Sequence, residues 1–267
     1  MKTANKYMDG TRILLGAHRG DRCNFPENTM PAFIAAVEMG CDAIETDVRM
    51  TKDGHLVLIH DRDVERTTNG KGFVDEMTLS EIKALDAGFW KSDQFIGEHI
   101  PTVEEFLEYI SKTDIIVNWE LKEYPKDLGL ERSFACVDKL VELIDRYGMA
   151  EKSMMNSFSE KLLEYVFDKW GDKFIIHGYI DYKNPKDHAD KPLISFLHWA
   201  AMWNKPEDAT AGRAQDYEYA IKNDILCCIL VADTKEEYGK ALSMGCRMFT
   251  SDDPSKAISV LKELGQR

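Results

Sequence analysis

Regular alternation of short β-rich runs with amphipathic helical segments is the feature that most constrains the fold of this chain. From residue 114 onward the pattern predicts strands at about 114–121, 152–157, 173–180, 198–203, 225–231 and 246–250. It predicts helices at about 131–147, 159–170, 187–196, 212–223, 234–244 and 255–265. Strands that alternate with helices favour a parallel sheet covered by helices.

The first hundred residues contain two further strands and a hairpin. An apolar run over residues 12–17 predicts the first strand, and Asn28 or Thr29 is expected to cap the helix after it. A second strand is predicted over residues 42–48, and the Lys52-Asp53-Gly54 turn joins it to a hairpin arm that ends at His60. This hairpin pairs Val48 with Leu58 and Thr46 with His60.

Pro101-Thr102 opens one more helix, with Val103, Phe106, Leu107 and Ile110 on one face. With the hairpin arm set aside, eight strands and eight helices remain, and 267 residues is close to the ~250 of a (β/α)8 barrel. We therefore expect one α/β domain, residues 1–267, folded as a single (β/α)8 TIM barrel. Residues 62–100 break the alternation, with a short helical piece at 79–85 and the Gly88-Phe89-Trp90 segment. We expect them to form a small insertion over the C-terminal mouth of the barrel.

The net charge and the cysteines indicate which class of partner the chain can bind and which cellular compartment it occupies. The net charge of −13 has no Lys/Arg cluster to interrupt it, which argues against a nucleic-acid partner. The six cysteines are irregularly spaced and include no C-x-x-C, as expected of reduced core residues. The first residues lack the apolar core of a signal peptide, and nowhere do ~18 apolar residues run together. We expect a cytoplasmic chain with no stable membrane insertion.

The second strand carries two acids on one face. Glu45 and Asp47 alternate with apolar and small residues, so their carboxylates point the same way, and the hairpin register brings His60 beside them. Isolated acids in a strand usually belong to a solvated face, and for this pair alone that alternative stays open.

Active sites of such barrels lie at the C-terminal ends of the strands. The polar residues expected there are His18 and Arg19 on the first strand, Glu45 and Asp47 on the second, His60 on the arm, and Glu120 and Lys122 on the third. Three carboxylates without a cysteine suit Mg²⁺ or Ca²⁺ better than zinc. Two histidines with ordinary pKa values of ~6.5 suit general acid-base catalysis, and two cations suit an anionic substrate. Together these residue types indicate phosphoryl chemistry.

Each of these residues also has a structural interpretation. A lone histidine at a strand end is more often structural than catalytic. Arg19 and Lys122 are alternatively surface charges that pair with Asp21 or Glu123. Seven such residues at the ends of three neighbouring strands favour the functional interpretation.

The chain resembles the glycerophosphodiester phosphodiesterases of the phosphatidylinositol-phospholipase-C-like barrel superfamily. The matching residues are His18-Arg19-Gly20, Glu27-Asn28-Thr29, Glu45-Thr46-Asp47-Val48, Thr51-Lys52-Asp53-Gly54, His60-Asp61, Arg66-Thr67-Thr68-Asn69-Gly70, Ile100-Pro101-Thr102, Glu120-Leu121-Lys122, Ser157-Phe158 and Asp252-x-Pro254. The resemblance implies metal-dependent hydrolysis of a glycerophosphodiester to sn-glycerol 3-phosphate and an alcohol. It implies one divalent cation held by Glu45, Asp47 and Glu120, an acid-base pair of His18 and His60, and phosphate binding by Arg19 and Lys122. It also implies a mouth-capping insertion.

The sequence departs from the family pattern near the predicted seventh strand. The family's Trp-Thr-Val-Asn stretch is replaced by Leu230-Val231-Ala232-Asp233, and either Trp199 or Trp203 is a candidate replacement for the lost ring, with core packing as the alternative. A lysophospholipase D-like or other phosphodiesterase on the same barrel is therefore the nearest rival function. A non-catalytic phosphodiester-binding barrel should lack at least one of the two histidines and three carboxylates, and all five are present. The sequence leaves open the head group of the substrate, the choice of Mg²⁺ or Ca²⁺, and which histidine is the acid and which the base. It also leaves open whether water attacks directly or a cyclic phosphate forms first, and what the oligomeric state is.

Overall fold

A computed structural model describes residues 12–179, 193–196, 222, 227–230, 232 and 234–267. The strands within these ranges are Leu14–His18 (β1), Ala43–Met50 (β2), Leu56–Leu58 (β3), Ile116–Leu121 (β4), Ser153–Asn156 (β5), Ile175–Tyr179 (β6), Leu193–Phe196 (β7), Cys227–Leu230 (β8) and Met248–Ser251 (β9). The helices are Met30–Glu38 (α1), Leu79–Lys83 (α2), Val103–Ile110 (α3), Pro125–Leu128 (α4), Leu130–Arg146 (α5), Glu160–Trp170 (α6), Lys235–Ser243 (α7) and Pro254–Glu263 (α8). Among these helices, none is long and apolar enough to cross a membrane.

The strands form one sheet with a circular order of pairings. From β1 the hydrogen-bonded neighbours run through β9, β8, β7, β6, β5, β4 and β2, and β2 pairs back with β1. All these pairings are parallel, whereas β3 is antiparallel to β2. The expected α/β class with parallel strands is confirmed, because parallel neighbours need the long crossovers that the helices supply.

One predicted helix is wrong where the structure describes it. Residues 193–196, assigned from sequence to the end of a helix at 187–196, form strand β7 and pair with β6 and β8. A short apolar run such as Leu193–Phe196 has no periodicity that separates a buried strand from a buried helix. The strand predicted at 198–203 lies outside the described residues, and so does nearly all of the helix predicted at 212–223.

The helix-facing side of the sheet and the inner faces of the helices form a continuous apolar core. The opposite side of the sheet carries a separate apolar cluster made of Leu14, Ala43, Ile116, Met154, Cys228 and Met248. Helix α3 illustrates how the sequence sets this packing. Thr102 and Glu105 exchange side-chain-to-backbone hydrogen bonds in a capping box, which starts the helix at Val103. Phe106 then lies on the buried face and contacts Trp119 of β4 edge-on, with 5.6 Å between ring centroids.

One pairing of the predicted hairpin is confirmed, and the predicted pairing of Thr46 with His60 lies beyond the last pair of the ladder. Val48 of β2 pairs with Leu58 of β3, and Gly54 supplies the positive φ of +84° that the turn needs. The ladder continues by one further bond, in which the Ile59 amide donates to the Asp47 carbonyl at 3.1 Å. His60 follows directly, so the arm carries this imidazole to the C-terminal end of β2.

The segment between β3 and α3 contains α2 and 3₁₀ turns at Val74–Glu76 and Asp93–Phe95. Its apolar residues pack with Val57 of β3 in a small cluster that also contains Ile59, Val64, Val74, Ile82, Ala87 and Ile100. The Lys91 ammonium donates to the carbonyls of Arg22 and Cys23 at 2.8 and 2.7 Å. These bonds tie the segment to the loop that follows β1.

Candidate active site

Strand register brings the predicted acids together. On β1 and β2, His18 is the register partner of Glu45, and on β2 and β4, Asp47 is the register partner of Glu120. One oxygen from each of the three carboxylates lies within 4.8 Å of the others. All three side chains are buried, so the alternative of a solvated acidic face is wrong for Glu45 and Asp47.

The three carboxylates have unequal electrostatic environments. Burial raises the pKa of Glu45 well above its ordinary value, and the charges of Asp47 and Glu120 raise it further. Burial also raises the pKa of Glu120, against the opposing charge of Lys122. For Asp47 burial acts in the same direction, but Lys122 and Arg19 outweigh it and lower the pKa. The protein therefore concentrates negative charge here at a cost in free energy.

The donor atoms at this cluster fit a divalent cation. Glu45 Oε1 is buried and accepts no hydrogen bond from the part of the chain that the structure describes. Asp47 Oδ1 is also buried without a hydrogen bond from these residues, although it lies 3.3 Å from the Lys122 ammonium. A buried carboxylate oxygen without a donor is costly, and a bound cation would offset that cost. Because Glu45, Asp47 and Glu120 supply oxygen only, the set is suited to Mg²⁺ or Ca²⁺.

Both predicted phosphate-binding cations lie against the acids. Lys122 Nζ is 2.6 Å from Glu120 Oε1 and 3.3 Å from Asp47 Oδ1, while Arg19 Nε is 3.1 Å from Asp47 Oδ2. Arg19 has a φ of +57°, uncommon outside glycine, which turns the chain sharply at the end of β1. Both side chains are buried, so their alternative assignment to the protein surface is wrong.

His18 is held from one side by an aspartate from the far end of the chain. Its Nδ1 lies 2.6 Å from Asp252 Oδ1, and its Nε2 lies 3.7 Å from Glu45 Oε2. A carboxylate at Nδ1 favours the proton on that nitrogen, which leaves the Nε2 lone pair facing the acidic cluster. Burial lowers the pKa of His18, although the bond to Asp252 opposes this effect.

His60 has the same arrangement with its sequence neighbour. Its Nδ1 lies 2.6 Å from Asp61 Oδ1, and burial lowers the pKa of this half-buried imidazole while the charge of Asp47 opposes the change. Arg49 fixes the backbone here, because Nε donates to the His60 carbonyl at 3.0 Å and Nη1 to the Lys122 carbonyl at 3.2 Å. The hairpin arm is thereby joined to the end of β4.

Several residues that the sequence does not predict to be catalytic, metal-binding or phosphate-binding lie in this site. Asn28 donates to Asp47 Oδ2 at 2.8 Å, and its Oδ1 accepts a hydrogen bond from Thr46 at 2.9 Å. Asp61 and Asp252 hold the two histidines. Adjacency to His60 is a local signal for Asp61, whereas Asp252 is 234 residues from His18 and only its place in a family motif pointed to it.

Aromatic side chains border the cluster on the β4–β5 side. Tyr124 Oη donates to Glu120 Oε1 at 3.4 Å, and the exposed Phe158 ring has its centroid 5.6 Å from Lys122 Nζ. The candidate ring replacements Trp199 and Trp203 lie outside the described residues, as do Val231 and Asp233 of the seventh-strand departure.

Comparison with known proteins places these motifs in a family. Residues 18–197 match the model of the glycerophosphoryl diester phosphodiesterase family. A glycerophosphodiester phosphodiesterase of Caldanaerobacter subterraneus subsp. tengcongensis is 35% identical over 267 residues, which cover 95% of this chain and 100% of the relative. This similarity confirms the expected enzyme class, a phosphoric diester hydrolase.

Solved structures agree with the fold. A glycerophosphodiester phosphodiesterase from Agrobacterium tumefaciens superposes with a TM-score of 0.73 at 26% identity and covers 91% of this chain and 98% of its own. An Oleispira antarctica phosphodiesterase, solved in complex with the product sn-glycerol-3-phosphate, has a TM-score of 0.79 at 24% identity over 93% and 96% of the two chains. With the family model and the full-length relative, these matches establish that the chain belongs to the glycerophosphoryl diester phosphodiesterase family.

Proposed function

We propose that this chain hydrolyses glycerophosphodiesters to sn-glycerol 3-phosphate and an alcohol, in a metal-dependent reaction with His18 and His60 as the acid-base pair. The observation that carries the proposal is the convergence of two His–Asp pairs, three buried carboxylates and two buried cations at the ends of β1, β2 and β4. The product bound in the Oleispira antarctica relative is the one that this reaction would release.

The proposal includes a complete architecture for the site. Residues 1–267 form one (β/α)8 barrel domain, and an insertion at about 62–100 covers its mouth. The circular order of strand pairings supports the barrel. The bonds from Lys91 to the loop after β1 support the position of the insertion, since that loop lies at the C-terminal end of the strand.

The substrate phosphate would be held by positive charge inside an acidic protein. Arg19 supplies a guanidinium group and Lys122 an ammonium group beside the three carboxylates. A guanidinium can donate hydrogen bonds to two phosphate oxygens at once. A divalent cation held by Glu45, Asp47 and Glu120 would neutralise the negative charge that develops on the phosphoryl oxygens. The pairing of each cation with Asp47 keeps both side chains ordered before substrate arrives.

The two histidines would move the protons. One imidazole, in its neutral form, accepts the proton of the attacking hydroxyl at Nε2. The other, in its protonated form, gives a proton to the oxygen of the leaving alcohol. Burial lowers the pKa of both histidines and so favours the neutral form of each. Asp252 and Asp61 orient the rings through Nδ1 and stabilise each imidazolium. The attacking hydroxyl belongs either to water or to the glycerol C2 position, with a cyclic phosphate hydrolysed next in the second route.

Release of sn-glycerol 3-phosphate from a panel of glycerophosphodiesters tests the proposal. The panel carries choline, ethanolamine, inositol and glycerol head groups, with a lysophospholipid added for the rival activity. We expect release that EDTA stops and that either Mg²⁺ or Ca²⁺ restores. Folded protein that releases sn-glycerol 3-phosphate from no glycerophosphodiester, under either metal, would contradict the proposal, and turnover of the lysophospholipid alone would favour the rival.

A cytoplasmic location and the lack of a nucleic-acid partner stay predictions. The six cysteines are free thiols, five of them buried, which supports a reducing compartment. Cell fractionation tests the location, and a gel-shift assay with duplex DNA and RNA tests the partner.

A further inference from the structure

A buried carboxylate in the loop after β1 contacts three arginines at once. Glu27 Oε1 accepts from Arg19 Nη1 at 2.8 Å and from Arg66 Nη2 at 2.8 Å. Its Oε2 accepts from Arg22 Nη2 at 3.1 Å and from Arg66 Nη1 at 3.0 Å. The side chain is only 2% exposed, so the Glu27 carboxylate is shielded from solvent. One negative charge therefore holds three guanidinium groups that would otherwise repel each other.

Arg66, in the insertion, connects Glu27 to His60 through Asp61. While two of its nitrogens bind Glu27, Arg66 Nε lies 2.5 Å from Asp61 Oδ2. The other oxygen of Asp61 is the one at 2.6 Å from His60 Nδ1. The planar guanidinium thus fixes the Asp61 carboxylate relative to Glu27, and Asp61 fixes the ring.

Arg22, in the loop after β1, connects Glu27 to His18 through Asp252. Arg22 Nη1 lies 3.4 Å from Asp252 Oδ1 and 3.3 Å from His18 Nδ1. The same Asp252 oxygen is 2.6 Å from His18 Nδ1. Glu27 is therefore connected to both histidines by a continuous series of ionic contacts, one branch through Arg66 and one through Arg22.

We propose that Glu27 is a positioning residue that orients both histidines from one buried carboxylate, with Arg22 serving His18 and Arg66 serving His60. The inference rests on the proposed function, because it gives the two rings their acid-base roles. Glu27 itself touches no reacting atom in this scheme. Its effect on turnover passes through the orientation of Asp252 and Asp61, since a ring turned away from the phosphate transfers its proton poorly.

The first test removes the charge of Glu27 and keeps its size. We expect Glu27→Gln to lower kcat for glycerophosphocholine about 10- to 100-fold. The matched control is Asp75→Asn, since Asp75 accepts two hydrogen bonds from Arg62 at 2.8 and 2.9 Å within the same insertion. This control should keep kcat within about twofold of wild type, because neither histidine contacts its ion pair.

The second test separates the branches and still decides the question if Glu27→Gln does not fold. Arg22→Gln and Arg66→Gln each interrupt one branch. Their kcat values are compared on glycerophosphocholine and on the 4-nitrophenyl diester of glycerol phosphate, whose leaving group departs without a proton. The variant that disturbs the general acid should recover most of its loss on the nitrophenyl substrate, whereas the other variant should lose about as much on both. A general loss of structure would not produce this difference.

Each result of these kcat measurements either supports or overturns the positioning role of Glu27. Opposite responses of the two arginine variants support the inference, as does a folded Glu27→Gln variant with the expected loss. Equal losses of both arginine variants on both substrates would overturn it, and so would a Glu27→Gln variant with wild-type kcat. Wild-type protein that releases no sn-glycerol 3-phosphate from either substrate would instead overturn the proposed function on which the inference rests.

Discussion

Asp47 and Glu120 are register partners on the parallel strands β2 and β4, and both carboxylates are buried at the same end of the sheet. This pairing brings together side chains 73 positions apart without any loop to adjust them. A slip of one residue would turn one of the two acids to the opposite face of the sheet. The acidic cluster is therefore as rigid as the sheet that carries it.

Binding of a divalent cation should stabilise the folded protein. A ligand that binds only the folded state adds about 2.7 kcal/mol at a concentration of 100 times its Kd. We expect Mg²⁺ or Ca²⁺ to raise the melting temperature and Glu120→Gln to abolish the rise, as followed by thermal unfolding with and without EDTA. Glu142→Gln is the control, because Glu142 is an exposed carboxylate on α5 that pairs with Arg146. A melting temperature that neither metal changes in the wild type would be inconsistent with the cation site.

Replacement of either histidine should remove activity and leave the fold intact. Acid-base catalysis by one side chain contributes about 10²- to 10⁴-fold. We expect His18→Ala and His60→Ala to lower kcat by this amount while circular dichroism and thermal unfolding stay close to wild type. The control is His99→Ala, since His99 lies in the insertion with Nδ1 at 3.1 Å from the Leu85 carbonyl. Near-normal turnover by His60→Ala would exclude its proposed role.

The stability that Glu27 contributes should depend on pH. Burial raises its pKa, but the hydrogen bond from Arg66 and the charges of Arg19 and Arg22 outweigh burial and lower the pKa from 4.5 to about 2. A lowered carboxyl pKa stabilises the folded state above pH 4.5, and this contribution is lost as pH falls toward 2. Its size is on the order of 3 kcal/mol.

Urea unfolding of wild type and Glu27→Gln at several pH values checks this linkage. The difference in the free energy of unfolding should be constant from pH 7 to about pH 5 and should shrink below pH 4.5. A difference for Glu27→Gln that does not change between pH 5 and pH 3 would contradict the assignment.

Two glycines with similar backbone angles should tolerate alanine very differently. Gly20 has a φ of +77° and Gly40 a φ of +82°. A Cβ on Gly20 would lie 2.6 Å from the backbone carbon of Ala32, whereas a Cβ on Gly40 would meet nothing within 4 Å. Gly40→Ala should therefore cost only the backbone strain of about 1–2 kcal/mol. We expect Gly20→Ala to cost at least 2 kcal/mol more in urea unfolding and to reduce turnover, because Gly20 follows Arg19. Equal destabilisation by the two substitutions would contradict the packing difference.

The sequence alone determined the parts of the fold that depend on neighbouring residues. Alternation along β2 predicted that Glu45 and Asp47 share a face, and the turn at Gly54 predicted the pairing of Val48 with Leu58. Strand periodicity and turn geometry are local properties, so a few residues suffice to specify them. The parallel α/β class followed in the same way from the order of the elements.

Only the tertiary structure decided which side chains meet across the sheet. The contact of Asp252 with His18 requires β9 to pair with β1, and the contact of Arg66 with Glu27 requires the insertion to fold back on the β1 loop. The strand at Leu193–Phe196 likewise depends on the neighbours β6 and β8. Such contacts depend on how the whole chain packs. They cannot be predicted from local sequence, because residues far apart in the chain share no periodic pattern. Local pattern therefore determined the chemistry available at each strand end, whereas the pairing of distant strands decided how those groups are held.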